Sequence, residues 1–130
     1  MRKIILACAA TAMMAATALP ASAQEGWVQL GTRSVGDNPD RDVISGRGEG
    51  TFTKIRLCVQ GRAVHFYDLD VDFGNGGRQD VSIRKRINPG ECTRAIDLRG
   101  GERNIRQVVM KYETIRDRGR QGVVELYGRR

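Results

Sequence analysis

The stretch from Val64 to Gly77, V-H-F-Y-D-L-D-V-D-F-G-N-G-G, alternates apolar and acidic residues and ends in a glycine-rich turn. A period of two marks a β-strand with one buried face, and Gly74-Asn75-Gly76-Gly77 supplies the positive-φ positions of a hairpin. Parity within the strand is inconsistent, however. Leu69, Val71 and Phe73 share a face with His65 and Tyr67, whereas Val64 and Phe66 share the other with Asp68, Asp70 and Asp72. One flat strand cannot bury both apolar sets against a single core. A bulge or bend near Tyr67-Asp68 removes the conflict, because one extra residue exchanges the two faces.

Short strands of this kind recur along the chain. Gly26 to Val35 reads as the first, anchored by Trp27, Leu30 and Val35, and the turn Gly36 to Asp40 leads to a second at Asp42 to Ser45. Gly46 to Gly50 is a connector; its spaced glycines imitate a phosphate loop, but no Lys-Ser/Thr pair and no helix follow. In Thr51 to Gln60, Ile55, Leu57 and Val59 face one side, and Lys54, Arg56, Cys58 and Gln60 the other. Val81 and Ile83 alternate in the return strand, Asn88-Pro89-Gly90 forms a turn, and Cys92 to Leu98 reads as a further strand. In Asn104 to Ile115 the spacing of Ile105, Val108, Val109 and Tyr112 imitates a helix. The β-branched content and the missing capping box favour a strand with a bulge. Val123 to Tyr127 is the last strand. The whole predicts an all-β, single-domain antiparallel β-sandwich of about eight strands, jelly-roll-like.

Residues 1–23 read as a cleavable signal peptide. Arg2 and Lys3 precede the uncharged run Ile4 to Leu19, and Ala21-Ser22-Ala23 is a small-residue cleavage site. Cys8 as an acylated anchor would have almost no apolar stretch ahead of it. The expected address is the periplasm or the medium, and residues 24–130 form the domain, with no transmembrane span. Loss of the leader removes two of 22 basic residues and none of 15 acidic ones, so the domain stays basic. A positive surface attracts anionic partners, and a solubility role accounts for it as readily.

Cys58 and Cys92 remain after cleavage. In an oxidising compartment an even pair favours a disulfide, with free thiols or a metal pair as the alternatives. One distant histidine, His65, makes a poor zinc site with them. Asp68, Asp70 and Asp72 put three carboxylates on one strand face, and calcium is the ion such oxygens suit. Alternate residues lie about 6–7 Å apart, too far for all three to ligate one ion without a bend. A solvated face paired with arginines therefore outweighs a calcium site, and no cofactor is expected.

His65 lacks an evident nucleophile, since none of Ser34, Ser45 and Ser82 lies in a nucleophile elbow, so a small hydrolase is the minor reading and a non-enzymatic role the main one. The basic clusters Arg84-Lys85-Arg86 and Arg116, Arg118 and Arg120 lie in or beside loops, with Arg129-Arg130 at the end. If loops converge, the first two would form a polyanion-binding patch. Export and the scarcity of exposed aromatics argue against nucleic acid.

Five segments carry a resemblance: I-R-L-C-V (Ile55 to Val59), D-L-D-V-D-F-G-N-G (Asp68 to Gly76), Ile87 to Leu98, Arg103 to Tyr112 and Val123 to Gly128. Together they resemble the small exported proteobacterial proteins classed as domain of unknown function 2541. The resemblance implies an exported β-sandwich and assigns no functional residues. The functional expectation is a binding or interaction module whose partner is an envelope protein or an anionic glycan.

Overall fold

The computed structural model describes residues 26–36, 41–46, 50–115 and 120–130. The expected signal peptide, the residues 37–40 and 47–49, and Arg116 and Arg118 lie outside the described residues. Eight strands follow one another: β1 (Trp27–Val35), β2 (Arg41–Ser45), β3 (Lys54–Gln60), β4 (Val64–Phe73), β5 (Arg78–Ile87), β6 (Ile96–Asp97), β7 (Ile105–Thr114) and β8 (Gly122–Arg129). Among the described residues there is no helix, so none is long and apolar enough to cross a membrane.

The strands form two antiparallel four-stranded sheets, ordered β1-β8-β3-β6 and β2-β7-β4-β5. Pairing joins β1 to β8, β2 to β7, β3 to β6 and β4 to β5. This is one long antiparallel hairpin folded over on itself, the jelly-roll arrangement. Ile55, Leu57 and Val59 of β3, Val124 and Leu126 of β8, and Val108 and Met110 of β7 are fully buried between the sheets. Each such side chain contributes roughly 1.5–3 kcal/mol of apolar transfer.

The parity conflict in β4 resolves as expected. The register slips between Phe66 and Asp68 against both neighbours, and Val64, Phe66, Leu69, Val71 and Phe73 are all buried. Tyr67, the extra residue against β7, is exposed. A second slip opposes Asp72 to Gln107 and Phe73 to Ile105, leaving Arg106 unmatched on β7. That bulge explains the helix-like spacing: it brings Ile105 onto the same face as Val108, whereas Val109 faces outward across from Asp70.

Trp27 is buried as expected, but apart from the main core: it packs with Cys58 and Tyr127 on the outer face of the first sheet, its ring under the Arg56 guanidinium at 4.3 Å. One expectation is corrected. The strand expected over Cys92 to Leu98 shrinks to Ile96–Asp97, with Cys92 making only an isolated bridge to Cys58. The Leu57 amide donates to Thr93 Oγ1, so a side chain takes the place of the ladder carbonyl and the regular ladder on β3 is interrupted until Ile96.

The sandwich's side between β5 and β6 is closed by Gln79, a buried amide. It donates to the Asp97 carbonyl at 3.0 Å and accepts from the Arg99 amide at 2.8 Å. Arg94 also reaches the Ser82 carbonyl of the edge strand at 3.4 Å.

Candidate functional site

The strand order decides which loops meet. Val64 is flanked by Ile87 on β5 and Thr114 on β7, and the Ile115 amide donates to the Ala63 carbonyl at 3.0 Å. Gly61, in the β3–β4 turn, lies against the Gln121 backbone. Hence the end of β5, with exposed Arg84, Lys85 and Arg86, and the β7–β8 connection, with exposed Arg120, occupy the same end of the sandwich. Arg86 is steadied by Asn88, whose Oδ1 accepts its Nε at 3.0 Å. The Arg129-Arg130 pair belongs to the opposite end.

That opposite end carries cations to which the sequence reading gave no role. Arg103 lies over the Phe73 ring at 3.7 Å and donates to the Arg99 carbonyl at 2.7 Å and to Asn75 Oδ1 at 3.2 Å. Arg130 lies over Phe52 at 5.4 Å. These guanidiniums lid the ends of the core as much as they present charge. The sequence cue is an arginine cross-strand from a core aromatic, visible only once Phe52 is known to bridge Arg103.

The three aspartates share the outer face of the second sheet, with different surroundings. Asp72 is buried between strands and accepts from Arg78 Nε at 2.7 Å and Gln107 Nε2 at 2.7 Å, with Arg106 at 3.6 Å. Burial pushes its carboxyl upward, but the hydrogen bonds from Gln107 and Arg78 and the charges of Arg78 and Arg106 outweigh this and hold it below the ordinary carboxylate value. Asp68 accepts from the Ser82 hydroxyl at 3.3 Å and lies across from Lys111. Asp70 stands opposite Asp80 on β5. Among the described residues no three His, Cys, Asp or Glu side chains converge as a metal-binding group. Asp72's oxygens are already engaged by nitrogen donors.

His65 is half-buried on the same outer face, opposite Arg86 on β5 and Glu113 on β7. Its ring lies 4.8 Å from that of Tyr67, whose hydroxyl donates to Glu113 at 2.7 Å. The hydrogen bond to Glu113, some desolvation and the Glu113 charge raise the Tyr67 hydroxyl above its ordinary value. An open cleft between β1 and β2, lined by Leu30, Gly31, Thr32, Arg33, Val43 and Ser45, holds one charged group, and Arg33 is paired with Asp42 at 2.8 Å. Cys58 and Cys92 form a disulfide that ties the segment before β6 to β3.

A solved structure of Pseudomonas aeruginosa AlgX is similar over 84% of this chain and 28% of that one, with 12% identity and a TM-score of 0.49. The chain thus spans less than a third of that protein's length. Among curated proteins no sequence matches it. The family model for a domain of unknown function, DUF2541, matches residues 5–128. Nearly the whole chain is covered, and it belongs to the DUF2541 family.

Proposed function

We propose that this chain is an exported, non-enzymatic binding module of the cell envelope that recognises anionic partners through its Arg84, Lys85, Arg86 and Arg120 end. The observation carrying this reading is topological. Sequence-distant cations on β5 and before β8 gather at one end because β4 lies between β5 and β7. Three consecutive exposed cations on an edge strand also discourage pairing with other strands, so the charge has a structural use besides. The disulfide favours an oxidising compartment. Against catalysis, the hydroxyl beside His65, that of Tyr67, donates its proton to Glu113 and not to the imidazole, so His65 is not set up as its base.

The test is salt-dependent retention on immobilised lipopolysaccharide and on a plain anionic resin. The triple reversal R84E/K85E/R86E is compared with R99E/R103E/R130E at the other end, with the folding of both checked by circular dichroism. The first variant is expected to elute at much lower salt than the second. Equal retention of the two would reduce the basic end to a solubility device, and absence of retention by the wild type would leave an envelope protein as the partner to seek.

A further inference from the structure

Two irregularities in neighbouring strands face each other. On β4, the slip between Phe66 and Asp68 leaves Tyr67 unmatched in the backbone register with β7 and turns its ring outward, 41% exposed, while the other tyrosines described, Tyr112 and Tyr127, are buried. On β5, Phe66 pairs with Lys85 and Asp68 with Ser82, so Ile83 and Arg84 fill the gap opposite Tyr67. Arg84 is held there at φ 46°, a left-handed backbone conformation that non-glycine residues rarely adopt. Among the described residues it is the one non-glycine residue with positive φ. Strain of this kind persists where the surroundings impose it, and it collects at ligand sites.

Around these two residues the outer face is ordered. Glu113, His65 and Arg86 form one cross-strand row over β7, β4 and β5, about 10 Å from end to end at the usual strand spacing. Tyr67 is fixed beside the row by its hydrogen bond to Glu113 and its contact with His65. The result is an exposed aromatic face with a carboxylate on one side and Arg86 on the other, the exposed Arg84 standing opposite Tyr67 in the backbone register.

Resting on the anion-binding reading above, we propose that this patch binds an acidic sugar. The C–H face of a pyranose ring stacks on Tyr67, its hydroxyls donate to Glu113, and its anionic substituent meets Arg86 and Arg84. The mixed charge selects this class of ligand. A continuous polyanion such as polyphosphate gains nothing from Tyr67 and is repelled by Glu113. A saccharide with hydroxyls beside one acidic group satisfies all of these side chains.

Titration calorimetry of the purified protein tests this with three probes: a carboxylated oligosaccharide, its carboxyl-reduced counterpart and polyphosphate. The carboxylated probe is expected to bind at least roughly tenfold more tightly than either of the others. Y67A should lose roughly tenfold and R86A a similar factor, whereas Y67F, which keeps the ring, should stay within about threefold. Tyr67 is exposed, so unchanged melting temperatures will verify that these variants remain folded. Wild-type affinity in Y67A, or polyphosphate binding as tightly as the saccharide, overturns the proposal. Should Y67A bind normally while R84E/K85E/R86E loses retention, the sugar patch falls and the basic end stands. Should the wild type bind no anion at all, both fall.

Discussion

Reducing the Cys58–Cys92 disulfide should lower stability by an amount set by the chain between the cysteines. Their separation is 34 residues, and the loop-closure estimate gives about 3.7 kcal/mol at 25 °C. For a domain of about a hundred residues this is a fall in melting temperature of about 15–25 °C. The native state has little reason to relax on reduction. The Val59 amide donates to Glu91, the Gly90 amide to Val59 and the Thr93 amide to Leu57, at 2.9, 2.7 and 2.7 Å, and these bonds hold the segment on β3 without the sulfurs. The effect therefore belongs to the unfolded chain, which gains freedom when the loop opens. Melting followed by circular dichroism, with and without reductant, measures it. C58A/C92A serves as the second arm and should melt slightly below the reduced wild type, because Cys58 is packed against Trp27 and Tyr127. A shift under about 5 °C on full reduction would refute the entropic account and mean that the unfolded chain keeps this segment near β3 unaided.

Asp72→Asn should cost about 1–2 kcal/mol at neutral pH. The carboxylate is buried, but Arg78 and Arg106 are more than half exposed, which screens much of the attraction. Because the native carboxyl is held below its unfolded value, its contribution is present above the unfolded pKa and disappears as pH falls through the native one. The gap between wild type and variant in urea unfolding should thus close toward strongly acidic pH; a constant gap would contradict this. Gly61→Ala should cost about 2–4 kcal/mol in the same assay, since Gly61 has φ 79° and an added Cβ would run into the Gln121 carbonyl oxygen. Wild-type stability there would mean the turn can move away.

The fold was legible wherever burial dictates parity. Two apolar sets of opposite parity in β4 forced a bulge at Tyr67, and burial of both Phe66 and Leu69 fulfils that requirement. The same logic named Trp27 as an anchor but not its side of the sheet, because an aromatic can be buried on an outer face when an arginine and a disulfide cover it. The shortening of β6 was not legible because it accompanies a side-chain acceptor, Thr93 Oγ1, that competes with the ladder. At the site, the Arg84-Lys85-Arg86 run was evident as charge. Its alignment with His65, Tyr67 and Glu113 depends on which strands flank β4, a long-range pairing that local pattern does not encode.

The position of β8 between β1 and β3 has a kinetic consequence. The first sheet's centre is the strand farthest along the chain from β1, so β1 and β3 cannot join one sheet until Gly122–Arg129 arrives. Apart from the β4–β5 hairpin, the strand pairings share this non-local character, as with β2 on β7. A chain so wired folds slowly, in milliseconds to seconds. Until β8 docks, β1 and β3 each display an unpaired edge to any neighbouring chain.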